Sequence, residues 1–143
     1  MRLALTRRGD YAVRAALALT DAGQHRLSAA AIATRMRIPS SFIGQVMADL
    51  SRAGVVTAVV GRGGGYRLAR PARDVSLLDA IQAAEPAGRA RTCVLRGSPC
   101  DVSGTCAVHE TFVRGEDAVL EVLRRTTLHD IVLNRRRPGG GRP

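Results

Sequence analysis

A glycine-rich tip, Gly61-Arg-Gly-Gly-Gly65, joins two extended runs, Val55–Val60 and Tyr66-Arg67-Leu68, in a chain whose other patterned segments read as helices. β-Branched residues favour strands and glycine clusters favour turns, so this stretch folds back as a hairpin. An isolated two-stranded hairpin is only marginally stable in water and has to lie on something larger. The chain is thereby confined to a mainly α fold carrying one small β-hairpin.

The segment before the hairpin supplies the helices. Thr6 can cap a first helix reaching about Ala22, with Gly23 as its stop. Ser28 caps a second, Ala29–Met36, with Leu27 and Ile32 at the two positions of a hydrophobic staple. Pro39-Ser40 opens a third, which ends before Gly54. Along it Phe42, Ile43, Val46, Met47 and Leu50 form an apolar stripe, while Ser41, Gly44, Gln45, Ala48 and Arg52 share the opposite face. Two short helices joined by a tight turn, the second with a small, weakly polar outer face, form a helix-turn-helix pattern. A hairpin tipped by Arg62 directly after it completes the layout of a winged helix.

After the hairpin, Ser76 and Asp79 make a capping box for a fourth helix ending near Ala84 before Pro86. The longest helical pattern runs from about Cys106 to Arg125. Val108, Phe112, Gly115, Val119 and Val122 recur on it at alternating spacings of four and three, a heptad-like seam that can pack on its own core or on a second copy. Thr127 and Asp130 cap a last short helix through Leu133. The expected organisation is a winged helix-turn-helix unit over 1–85, a cysteine-bearing loop over 86–106, a long helix and a short C-terminal helix over 107–134, and a disordered basic tail over 135–143.

The 143 residues carry a net charge of +10, and the chain contains arginine but no lysine. Arginine's planar fork suits phosphates and guanine edges, so a polyanionic partner is expected. With no Trp, two Tyr and two Phe, few rings are available for stacking unpaired bases, which favours duplex DNA over single strands. No apolar run approaches the ~18–20 residues of a membrane span. The charged N-terminus does not resemble a signal peptide, so the cytoplasm is the expected location.

All three cysteines lie in one stretch, Cys93, Cys100 and Cys106, followed by His109. Thiolates grouped in an otherwise cysteine-free chain point to a metal or cluster site, and their odd number argues against a closed disulfide framework. Structural zinc sites favour arms of two to four residues between ligands, and only Cys106 and His109 are that close. The longer arcs, loosened by Gly97, Pro99 and Gly104, suit an iron–sulfur cluster. On spacing alone a cluster, zinc and uncomplexed redox thiols all stay open. No enzymatic pattern emerges. The deaminase Pro-Cys-x-x-Cys is missing, because six positions separate Cys100 from Cys106. The glycine tip leads into a strand rather than a helix, so it does not cradle phosphates.

Together, Thr6-Arg-Arg-Gly-Asp-Tyr-Ala-Val-Arg14, the Gly61-Arg-Gly-Gly-Gly-Tyr-Arg-Leu68 wing and the three-cysteine loop resemble the IscR/NsrR-type winged-helix transcriptional regulators over about residues 1–133. The resemblance implies a homodimer joined by the long helix, binding imperfect palindromes of duplex DNA. It also implies a cluster held by Cys93, Cys100, Cys106 and a non-cysteine fourth ligand. One branch of the family holds a 2Fe–2S cluster with a histidine three positions past the last cysteine, where this chain has His109. The other holds a nitric-oxide-reactive 4Fe–4S cluster with an acidic residue on the partner subunit's first helix, where this chain has Asp10. The motif Asp10-Tyr-Ala-Val-Arg14 looks more like the second branch. The family often has Arg just before the first wing glycine. Here that position is Val60, which shifts the expected minor-groove contact to Arg62.

The resulting expectation is a non-enzymatic, cluster-controlled transcriptional regulator, expected to repress, that responds to nitric oxide, redox state or iron–sulfur status. Phosphate and groove contacts are expected from Arg7, Arg8, Arg52, Arg62 and Arg67, and base reading from Ser40, Ser41 and Gln45. The rivals are a thiol- or zinc-based winged-helix regulator without a cluster, and a zinc-stabilised interaction module that does not bind DNA.

Overall fold

The Thr6 hydroxyl accepts a hydrogen bond from the Gly9 amide at 3.1 Å and so starts helix α1, Arg7–Ala22, in a computed structural model describing residues 3–85 and 108–136. Gly23, at φ +61°, stops the helix as expected. Ser28 opens α2, Ala29–Met36, in the same way, accepting from the Ala31 amide. Arg37 then takes a left-handed conformation (φ +53°) that turns the chain sharply into α3, Ser40–Arg52. The apolar stripe read on α3 faces inward: Ile43, Val46, Met47 and Leu50 are buried and Phe42 is half-buried. The α1 side of the core is Ala12, Ala15, Ala16, Ala18 and Leu19. Alanines let neighbouring helices approach closely, which lets a chain this poor in aromatics build a dense interior.

The hairpin comprises β1, Val56–Val59, and β2, Gly65–Leu68, paired antiparallel with Val56 opposite Leu68 and Val59 opposite Gly65. Leu27 adds a one-residue third strand by exchanging backbone hydrogen bonds with Tyr66 at 3.0 and 2.8 Å. The return strand thus begins at Gly65, one residue earlier than the sequence suggested. Gly65 sits at φ +143°, and a Cβ there would lie 2.7 Å from the Leu27 carbonyl oxygen, so only glycine fits under that third strand.

A single 3₁₀ turn, Ala72–Asp74, leads to α4, Leu77–Ala84, which starts with the expected Ser76/Asp79 capping box. Helix α5 spans His109–Arg125 and α6 spans Leu128–Arg136. The entries to α4 and α6 are stitched together: Leu77 N–H donates to Thr126 O and Leu128 N–H to Val75 O. Thr127 and Asp130 cap α6, which buries Leu128 and Val132. The sequence placed the end of this helix at Leu133 and a tail from 135. Instead the helix continues to Arg136, where Arg135 and Arg136 pair with Asp21 of α1 at 3.5 and 3.7 Å and complement the negative end of the helix dipole. Helix α5 lies along α4 and has no buried residue. The remainder of the expected tail and the loop bearing Cys93, Cys100 and Cys106 lie outside the described residues, as does the expected start of the long helix at Cys106.

Candidate nucleic-acid interface

The outer face of α3 is built as its sequence predicts. Ser40, Ser41, Gly44, Gln45, Ala48 and Arg52 are all exposed. What the sequence did not indicate is Asp49, which sits on this helix only 2 % exposed. Its Oδ1 accepts from Gln45 Nε2 at 2.9 Å and from Arg52 Nη1 at 3.1 Å. Its Oδ2 accepts from Arg8 Nη2, a short ion pair reaching across from the first turn of α1. Three of the expected DNA-contacting side chains, Arg8, Gln45 and Arg52, are therefore gathered on one buried carboxylate. The local signal was present: Asp49 falls beside the apolar stripe, with Gln45 one turn before it and Arg52 one turn after. The partner on α1 was not legible.

Burial pushes the Asp49 carboxyl up. The hydrogen bonds from Arg8, Gln45 and Arg52 and the Arg8 charge outweigh it, and hold the group below the ordinary aspartate value. A carboxyl depressed in the folded state stabilises the fold above its unfolded pKa of ~3.9, and that contribution is lost as pH falls through the lower folded value. We expect urea-denaturation midpoints to fall between pH 5 and roughly pH 3, and Asp49→Asn to show a shallower decline over that window. Equal declines in the two proteins would contradict this assignment of Asp49.

Arg7 is exposed at the positive end of α1, and Arg62 is exposed at the wing tip. A tight turn closed by Gly64 N–H to Gly61 O shapes that tip. Arg26, which the sequence reading passed over, donates to Gly63 O at 3.2 Å and props the wing while remaining exposed itself. Val60 at the wing is 95 % exposed. Arg67 points elsewhere: it lines an open groove with Thr20, Gly23 and Gln24 at the far end of α1, and so does not join the Asp49 group.

The two residues considered as fourth ligand are widely separated in the chain. Asp10 lies in the first turn of α1, about two-fifths exposed, and is gripped by Arg14 through Nε (3.0 Å) and Nη2 (2.8 Å). The same guanidinium reaches Met36 O at 3.4 Å and lies over the Tyr11 ring, which in turn packs edge-on against Phe42 of α3. His109 is the first residue of α5 and is half-buried. Among the described residues no three His, Cys, Asp or Glu side chains form a metal site. Glu85, the residue where α4 leads into the cysteine loop, has its carboxylate on the start of α1: Thr6 N–H donates to its Oε1 at 2.7 Å. Gly9 leaves room for it, since a Cβ there would overlap the same oxygen.

A tight helix pair, an exposed reading face on the second helix and an arginine-tipped hairpin define a winged-helix DNA-binding regulator. The chain belongs to the Rrf2 family, whose model, described as an iron-dependent transcriptional regulator, matches residues 5–134. It is 35 % identical over 140 residues to the HTH-type transcriptional regulator IscR of Cereibacter sphaeroides, covering 94 % of this chain and 90 % of that one. Among solved structures it resembles T. potens IscR (TM-score 0.78, 26 % identity, 99 % and 94 % coverage). It also resembles CymR, the global cysteine regulator of B. subtilis (TM-score 0.75, 27 % identity, 91 % and 96 % coverage). These relatives make it a transcriptional regulator and not an enzyme. No helix among the described residues is long and apolar enough to cross a membrane.

Proposed function

We propose that the chain is a cytoplasmic, homodimeric repressor that binds an imperfect palindrome of duplex DNA under the control of an iron–sulfur cluster. The cluster is held by Cys93, Cys100 and Cys106 of one subunit and Asp10 of the other, with 4Fe–4S favoured over 2Fe–2S. Residues 1–85 form the DNA-binding unit, the loop over 86–106 holds the cluster, and α5 joins the subunits. The observation that carries this reading is the contact of Glu85 with Thr6. It ties the base of the cysteine loop to the turn of α1 that bears Arg7, Arg8 and Asp10, so a change in the loop bears on the DNA-contacting end of the molecule. The donor set fits: three thiolates and a carboxylate or imidazole are ligands iron accepts. When bound, the cluster supplies an iron corner that a weakly held carboxylate leaves open to a small diatomic molecule.

The chain's own residues provide the transmission. A carboxylate of Asp10 engaged elsewhere no longer holds Arg14, and Arg14 is the side chain that reaches the end of α2 and, over Tyr11, the start of α3. A ligand change at one residue thus biases the helix-turn-helix between two arrangements. His109 begins α5, whereas Asp10 lies on α1 beside the arginines that reach α2 and α3, which favours Asp10. Likeness to a cysteine regulator keeps a thiol-based regulator without a cluster as the second reading. Asp10→Ala and His109→Ala, made separately, decide the ligand. We expect Asp10→Ala to change the visible spectrum, shorten cluster lifetime and blunt the loss of DNA affinity on nitric oxide exposure. If His109→Ala destroys the cluster while Asp10→Ala leaves spectrum and response unchanged, the ligand is His109 and the cluster is 2Fe–2S.

A further inference from the structure

We propose that Asp49 is a positioning residue for base reading, one that does not itself touch DNA but sets which atoms of the α3 face meet the groove. This deepens the reading of α3 as the recognition helix and rests on it. An ionised carboxylate only accepts hydrogen bonds, so Gln45 can approach Asp49 Oδ1 only through its NH2 group, as it does at 2.9 Å. The Gln45 carbonyl oxygen is thereby left as the free acceptor, and one amide hydrogen remains for a base. A free glutamine could present either end. Held this way, it suits a base edge that donates from an exocyclic amino group in the major groove, adenine N6 or cytosine N4, and the remaining hydrogen adds adenine N7. At guanine or thymine, whose major-groove edges offer acceptors only, the remaining hydrogen can still be used but the carbonyl oxygen is left unpaired, so these bases bind less well at that position.

The same carboxylate draws Arg8 from α1, 41 residues earlier in the chain, beside Arg52 on α3. Each arginine keeps further donors for phosphate. Both remain substantially exposed while their inner ends are pinned to a side chain that is 2 % exposed. Fixing three long side chains before DNA arrives lowers the ordering cost of binding. Asp49 also lies against both helices at once, so any shift of α1 relative to α3 disturbs the reading atoms together.

The test uses Asp49→Asn, which keeps the size but lets Gln45 pair in either orientation. A duplex selected from a random pool by the wild-type chain is varied one position at a time, and affinities are compared for wild type, Asp49→Asn, Gln45→Ala and the double variant. The expected result is a loss of discrimination of about tenfold at one position per half-site, with discrimination at other positions unchanged and no further loss of discrimination from Asp49→Asn in the Gln45→Ala background. Freeing Arg8 and Arg52 lowers affinity for every duplex by a common factor on top of this. A uniform loss with discrimination intact at every position, or no change at any, would overturn the proposal while leaving α3 as the reader. Should wild type show no base preference at all, the recognition-helix reading falls and this proposal with it. If Asp49→Asn fails to melt cooperatively, the wild-type Gln45 side-chain amide decides. Its NMR signals are expected to be shifted and slow to exchange, and signals of a free surface glutamine would overturn the assignment.

Discussion

Placing glutamates at Phe112 and Val122 together should convert the protein to a monomer at micromolar concentration and reduce its affinity for a palindromic duplex by two or more orders of magnitude. Both residues lie on the four-three seam of α5 and are exposed, Phe112 at 39 % and Val122 at 64 %. Their helix is backed by α4 but buries none of its own residues. Exposed apolar seams of this kind commonly mark protein–protein contacts, and in the proposed homodimer a second α5 offers the matching spacing. Two reading heads on one palindrome gain ~10²–10⁴ in affinity over one. A carboxylate in the seam must be desolvated without a partner, so two such changes should suffice to separate the subunits. Sedimentation velocity and duplex titration on the same sample check both halves. A double variant that stays dimeric places the subunit contact elsewhere, and one that becomes monomeric with unchanged affinity removes the argument for a symmetric operator.

Replacing Cys93, Cys100 or Cys106 by alanine is expected to leave oxygen-free preparations colourless and to shift duplex affinity by a common factor in all three variants. Three thiolates are the strong ligands, and with one gone the carboxylate or imidazole is too weak to retain a cluster. Coupling free energies between a ligand and a distant site typically amount to 5–150-fold, roughly the range expected here. Absorption spectra and affinities of the three variants against wild type provide the measurement. A variant that keeps the wild-type spectrum removes its cysteine from the ligand set.

Local chemistry made most of the fold legible. Thr6, Ser28, Ser76 with Asp79, and Thr127 with Asp130 satisfy the exposed amides at helix starts within three residues, so each boundary is written in a short window of sequence. Gly23 and Gly54 mark helix ends because both adopt positive φ. The stripe on α3 separated buried from exposed residues correctly because helical periodicity fixes which side chains share a face. What stayed hidden depends on residues far apart in sequence. Asp49 reads as a surface acid until Arg8 arrives from α1, Glu85 as a helix end until it meets Thr6, and Leu27 as a loop residue until it pairs with Tyr66. The last turn of α6 likewise owes its length to Asp21 on another helix. At the site, the residue types and their spacing indicated a DNA-binding regulator and the exposed outer face of α3. They could not show that Arg8, Gln45 and Arg52 converge while Arg67 faces a separate groove.

Iron and acid-labile sulfide counted per chain after strictly anaerobic purification test most directly the proposed control of this DNA-binding fold by a cluster on the three-cysteine loop. A coloured protein with iron and sulfide in equal amounts is the predicted result. A colourless protein carrying one zinc per chain would contradict it.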